Sequence, residues 1–215
     1  MTSWVAVKKV CENVKILEVT LLMSIFAAET DKMNNRAKLF NKDVTINAVL
    51  YIVEKMGGKV DMHKIFKTLY FADMMHLSKY GRSITGDVYI AMNFGPVPSK
   101  TDDIFKAVRG DSYFSDKADD LKSYFHFYNR YTIQADAKCD MDWLSESDIE
   151  CLDASIEKCK DKTFEELTAL SHGIAWQHTS KDREISIKDI LRESGDTEDY
   201  AEYIARGLEL ENMFH

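Results

Sequence analysis

The sequence predicts a mostly helical α+β fold, a single domain with a small antiparallel β-sheet, and three observations lead to it. Only two of its 215 residues are proline, Pro96 and Pro98, and they stand together, so the rest of the chain carries no residue barred from a helix interior. Between Thr85 and Phe94 the pattern alternates, with Val88, Ile90 and Met92 on one side and Asp87, Tyr89, Ala91 and Asn93 on the other, as a strand requires. The hydrophobic set makes up 45% of the chain, enough for one core and too much for a disordered segment.

Each element then follows from its caps and spacing. Asp43 is expected to cap a helix carrying Ile46, Val49, Leu50 and Val53 and ending at Gly57-Gly58. Asp61 caps a second, which presents Ile65, Leu69, Ala72 and Met75 and stops at Gly81. The strand is expected to break at Gly95-Pro96-Val97-Pro98, with Pro98 opening a helix that groups Thr101, Ile104, Phe105 and Val108 before Gly110. Residues 122–134, rich in Tyr, Phe, Thr and Ile around Asn129-Arg130, read as a β-hairpin. Ser147 with Glu150 and Thr163 with Glu166 have capping-box spacing. They open helices presenting Ile149, Leu152 and Ile156, then Leu167, Leu170 and Ile174. Ser186 and Asp196 are read as caps of the last two helices, with Tyr200, Tyr203, Ile204 and Leu208 as the final stripe.

Charge and cysteine content narrow the function. The net charge is -8, and it is uneven: residues 1–133 carry 19 basic and 15 acidic side chains, residues 134–215 carry 9 and 21. Dedicated nucleic-acid binding is disfavoured, since it rests on surplus Lys and Arg. Cys11, Cys139, Cys151 and Cys159 form no C-x-x-C pair, which suits a reducing, cytoplasmic setting. No His or Cys cluster has ligand spacing, so no metal or cofactor is expected. Lys8, Lys9 and Lys15 precede the apolar run 16–28, but Glu18 interrupts it. Residues 1–32 are therefore read as a dispensable amphipathic extension, or an upstream start ahead of Met23 or Met33, rather than an export signal. The domain proper is placed at 33–215. No stretch is long and apolar enough to predict a membrane span.

The candidate functional residues form two groups. Tyr70 and Asp73 lie three apart on the second helix and share a face with Lys67 and Phe66. The turn Gly95-Pro96-Val97-Pro98, flanked by Tyr89, Asn93 and Phe94, is stiff and aromatic, and such a surface loses little entropy on binding a protein. His172 and Trp176, four apart, are expected to stack on one helical face. His76 stands three residues after Asp73, which could orient it. The acid run Asp196, Glu198, Asp199 and Glu202 reads as a solvated first helical turn.

Taken in order, Lys64 to Asp73, then Gly81-Arg82-Ser83-Ile84-Thr85-Gly86-Asp87, then Asn93 to Pro98, with Leu170-Ser171-His172 and Trp176 later, the chain resembles the SocA-like, or Panacea, domain of bacterial antitoxins over about residues 44 to 178. The resemblance implies a bacterial or prophage protein that neutralises a protein toxin encoded by the neighbouring gene, either by direct binding or by delivering it to the ClpXP protease. It implies a binding protein rather than an enzyme. The surface expected to meet the partner comprises Lys67, Tyr70, Asp73, Tyr89, Asn93, Phe94, Gly95, Pro96, Val97, Pro98, His172 and Trp176. The chain departs from the family pattern at Asp102-Asp103, ahead of Ile104-Phe105. Two other classes stand beside this reading: a small hydrolase or transferase using His76 or His172 with Asp73, and a DNA-binding autoregulator whose +4 N-terminal part meets phosphate.

Overall fold

In the computed structural model, which describes residues 40–111 and 118–214, the first helix, α1 (Lys42–Lys55), begins at Asn41, whose Oδ1 accepts the Val44 N–H at 3.2 Å. Asn41, not Asp43, is the cap, because its own N–H is fixed to the Thr85 carbonyl (3.0 Å) and sets where the chain turns into the helix. The extension 1–32, its apolar run and the domain start at 33 lie outside the described residues. The described chain falls in one compact unit.

After the turn at Gly57-Gly58, both at positive φ, come β1 (Lys59–Asp61) and the long helix α2 (Met62–Tyr80). Asp61 caps α2 through His63 N–H (2.9 Å) and Gly81 ends it at φ 73°, as expected. The burial of α2 is wider than one stripe. Ile65, Phe66, Leu69 and Ala72 pack into a core with α1, β1 and the residues that follow, whereas Tyr70, Phe71, Met74 and Leu77 pack into a second core on the opposite side. Met75 is only partly buried, between the two.

The strand is shorter than its alternation and the prolines do not break it. β2 (Tyr89–Met92) turns at Asn93-Phe94 into β3 (Gly95–Pro98), an antiparallel partner with Ala91 opposite Pro96 and Tyr89 opposite Pro98. A proline has no N–H to give a ladder, but these two occupy positions whose N–H would point away from β2. Their partners Tyr89 and Ala91 spend their own groups on the other flank: Ile185 N–H donates to Tyr89 O (2.8 Å) and Ala91 N–H to Arg183 O (2.9 Å). Tyr89 and Ala91 form the inward face. Pro98 then caps α3 (Ser99–Arg109) with no side-chain bond of its own. That work falls to Asp87, whose carboxylate takes the N–H groups of Lys100 (2.9 Å) and Thr101 (2.8 Å). Asp102 and Asp103, where the family pattern is broken, pair with Lys106 on the same helix.

The short helix α4 (Ala118–Leu121) leads to β4 (Phe125–Phe127) and β5 (Thr132–Ala135). This is the expected hairpin, its turn held by Asn129 Oδ1, which accepts from Tyr131 and Thr132 N–H at 2.9 Å each. Pairing of β5 with β1 extends it to a three-stranded sheet in the order β1-β5-β4, with Ile133 fully buried between Val60 and Phe127. A 3-10 turn (Met141–Trp143) precedes α5 (Glu146–Cys159).

The capping box of α5 is Ser145 with Asp148, not Ser147 with Glu150. Both pairs have the spacing, but Ser147 Oγ is engaged by His76 and Glu150 by Lys79 and Tyr80. The box at Thr163 with Glu166 opens α6 (Phe164–Ser171) as expected. Leu170 and Ile174 are exposed and do not continue the stripe of buried Leu167; Ile174 lies beyond this helix, which stops at His172. Then come α7 (Ile174–Gln177), α8 (Ile187–Ser194), capped by Ser186, and α9 (Glu198–Phe214). At the start of α9 the Tyr200 N–H reaches Thr197 Oγ1 (3.4 Å), while Asp196 accepts from Ser78 instead. Ala201, Ile204 and Leu208 make the buried stripe; Tyr203 is exposed because its spacing puts it outside that arc. The acid run is partly paired, Glu198 with Arg192 and Glu202 with Lys188.

Candidate partner-binding surface

The tip of the β2-β3 hairpin is where the candidate residues converge. A hairpin tip normally leaves its carbonyls to water, but here side chains from α2, α6 and α7 meet them one after another. Trp176 Nε1 donates to Met92 O at 2.9 Å. The Asn93 carbonyl faces the His172 ring. His63 Nε2 lies 3.2 Å from Phe94 O, a contact that requires the proton on that nitrogen. Lys67 Nζ donates to Pro96 O at 2.7 Å. The residue skipped, Gly95, explains the closeness: at φ +95° a Cβ there would lie 2.3 Å from Ser171 Oγ and 2.9 Å from Lys67 Nζ. Only glycine fits.

This clamp aims the Phe94 side chain outward. Phe94 is 57% exposed, meets Phe164 edge-to-face at 5.2 Å, and Phe164 in turn lies 4.1 Å from the His63 ring. Phe164 is 43% exposed and Met92 is 41% exposed, so the tip region presents a contacting aromatic pair and a nearby exposed thioether. His172 and Trp176 are stacked as expected, ring centres 3.6 Å apart and 6° from parallel. They do so across a break rather than along one helix, since His172 ends α6 and Gly173 intervenes before α7.

Burial corrects part of the expected surface. Lys67, Tyr70, Asp73 and Tyr89 are buried, as are Gly95, Pro96 and Pro98, and Val97 is half-buried. They support the tip from beneath and cannot touch a partner in this conformation. Asn93 and Phe94 are exposed, with His172 and Trp176 partly so. Asp73 accepts from Ile84 N–H (2.7 Å), Thr85 N–H (3.1 Å), Thr85 Oγ1 (2.6 Å) and Tyr89 Oη (2.7 Å), tying the start of the hairpin to α2. Burial pushes its carboxyl up, against the pull of those donors. Asp73 therefore has no contact to spare for His76, whose Nδ1 meets Arg82 O (2.7 Å) and whose Nε2 meets Ser147 Oγ (3.0 Å) and Asp148 (3.1 Å). The pairing of Asp73 with His76 or His172 that the hydrolase reading requires is not made; His76 is paired with Asp148 and Ser147 instead.

The groups under the tip form a partly to fully buried cluster of bases with no acid paired to them among the described residues. Burial lowers the Lys67 ammonium to about 7. Burial and the nearby Lys67 hold His63 down to about 4 and lower His172 as well. Phe164 and His63 are not among the functional candidates read from the sequence, and Met92 and Ser171 enter there only as part of a strand pattern and a family motif. The one signal for Phe164 was a large aromatic on the first, solvent-facing turn of a helix just after its cap.

The candidate surface is thus a clamped, aromatic hairpin tip on a mostly helical α+β scaffold. The sequence matches the SocA-like antitoxin family, Panacea domain, over residues 65–177, more than half of the chain, and the chain belongs to that family. Membership implies a toxin as partner. The match begins in α2 and ends beside Trp176, so all four groups at the tip carbonyls except His63 lie inside it. No curated protein and no solved structure matches the chain. Among the described residues no helix is long and apolar enough to cross a membrane.

Proposed function

We propose that this chain neutralises a protein toxin encoded by the neighbouring gene, in the cytoplasm and without chemistry of its own, by binding it at the hairpin tip. The observation that carries the reading is the exposed Phe94–Phe164 pair on a tip whose carbonyls are already held. An aromatic pair presented on a fixed backbone forfeits little entropy on docking, the property of interface hot spots. Asn93, His172 and Trp176 form its rim, and Lys67, Tyr70, Asp73, Tyr89, Gly95, Pro96, Val97 and Pro98 shape it from within.

Capture comes first whether the toxin is then blocked or handed to ClpXP. Coexpression with the adjacent open reading frame, scored for growth, tests the function. Rescue that persists in cells lacking ClpX assigns blocking, and rescue lost there assigns delivery. An absence of rescue in both strains contradicts the proposal.

A further inference from the structure

Lys67 sits at a position whose neighbours along α2, Ile65, Phe66, Thr68 and Leu69, are all buried, and it is itself fully buried. Among the described residues no carboxylate pairs with it. Its one hydrogen-bond acceptor is the Pro96 carbonyl, and its Nζ would lie within 2.9 Å of a Cβ at Gly95. A lysine in such a place is costly for folding, because an amine without a counter-ion loses its hydration and regains one bond. A methionine has nearly the same length and flexibility and carries no such cost. Positions where a chain keeps a residue the fold does not favour are where function sets the choice.

The bond it makes has one visible consequence. Pro96 follows directly on the tip, and the Met92 and Phe94 carbonyls are met by aromatic nitrogens from farther round the patch. Lys67 is the contact that reaches the tip from the core side. The Cβ clearance at Gly95 places the amine and Ser171 Oγ against the backbone at the point where β3 begins, one residue from Phe94.

We propose that Lys67 is a positioning residue for partner capture: its amine fixes the β3 end of the tip so that Phe94 is presented in one orientation, at the expense of fold stability. The inference rests on the reading of the tip as the docking surface. It assigns to a buried side chain an effect on binding that contact alone would not give it.

The test compares Lys67→Met with Phe94→Ala in the full chain, using the purified product of the adjacent gene as the binding probe. Melting temperature, amide hydrogen exchange at Asn93–Gly95, and affinity are measured for each. Lys67→Met is expected to melt no lower than the unaltered chain at pH 7, to exchange faster at the tip, and to bind at least tenfold more weakly. Lys67→Gln, which keeps a neutral N–H donor, is expected to recover part of the binding. Weak binding by Phe94→Ala together with full binding by Lys67→Met would overturn the positioning role and leave the docking surface standing. Full binding by Phe94→Ala would overturn the docking surface itself. Failure of both Lys67 variants to fold would make Lys67 a stability residue and overturn the proposal.

Discussion

Asp73 and Lys67 stand six residues apart on the same helix and anchor opposite ends of the same hairpin, yet they are built on opposite principles. Asp73 is a buried carboxylate surrounded by four donors from Ile84, Thr85 and Tyr89. Lys67 is a buried amine with one acceptor, the Pro96 carbonyl. A buried polar group that is fully bonded strengthens the fold around it, and one that is barely bonded taxes it. The hairpin is thus welded to α2 at its start and held at its tip by a contact that the fold alone would not select. The welded end is buried, and the end held by Lys67 carries the exposed Asn93 and Phe94.

The largest effect should come from breaking the welded end. Asp73→Ala orphans two backbone N–H groups and two hydroxyls in the core, and should cost ~3 kcal/mol or more. Chemical unfolding would show it, and Asp73→Asn, which still accepts the two N–H groups, should fall between. Asp73→Ala thus reports on folding, and growth rescue by that variant says nothing about contact.

Next in size is the tip backbone. Gly95→Ala should destabilise by ~1–3 kcal/mol, since positive φ and the approach of Ser171 and Lys67 both oppose a Cβ. Gly58→Ala is the control: φ is +86° but nothing lies within 4 Å, so only the conformational part of the cost should remain. Equal losses at the two glycines would mean that the close approach at the tip contributes nothing.

Acid and base sharpen the contrast further. The Lys67 amine titrates near 7 in the folded chain and near 10.4 when unfolded, so between those values the unfolded chain holds the extra proton and stability rises with pH. The slope can reach ~1.4 kcal/mol per pH unit. Thiols of the unfolded chain ionise at about 8.5 and act in the opposite sense, the folded Cys139, Cys151 and Cys159 all being raised by burial, so the Lys67 effect is read as a difference between the unaltered chain and Lys67→Met from pH 7.5 to 8.5. Across that window the unaltered chain should gain more unfolding free energy than Lys67→Met. The smallest effect is expected at Tyr70→Phe, within ~0.5 kcal/mol, because the buried Tyr70 hydroxyl lies beside Glu193 without a well-formed hydrogen bond to lose.

The helices were legible because their signals are local. Asp61, Thr163 and Ser186 cap where the spacing says, and Gly81 and Gly110 end what they should. Errors arose where a choice between equivalent local signals was made by distant contacts. Ser145 beats Ser147 because His76, from α2, claims Ser147, and Asn41 beats Asp43 because Thr85 fixes its N–H. β3 was hidden because proline argues against strands unless the flank facing away from the ladder is known, and that flank depends on residues 182–185. The tip residues Asn93 and Phe94 could be found, since exposed aromatics in a turn stand out. Lys67 and Asp73 could be placed on one helical face but not assigned as buried, because α2 is covered on both sides and no periodicity marks such a helix.

The central claim, that the clamped tip presents Phe94 to the partner, is tested most directly by coexpressing Phe94→Ala with the neighbouring open reading frame and measuring growth beside the melting temperature of the purified variant. Phe94 is more than half exposed, so its loss should shift the melting midpoint by no more than ~2 °C. Growth rescue should fall to the level of cells carrying the toxin gene alone. Full rescue by a normally folded Phe94→Ala would contradict the account.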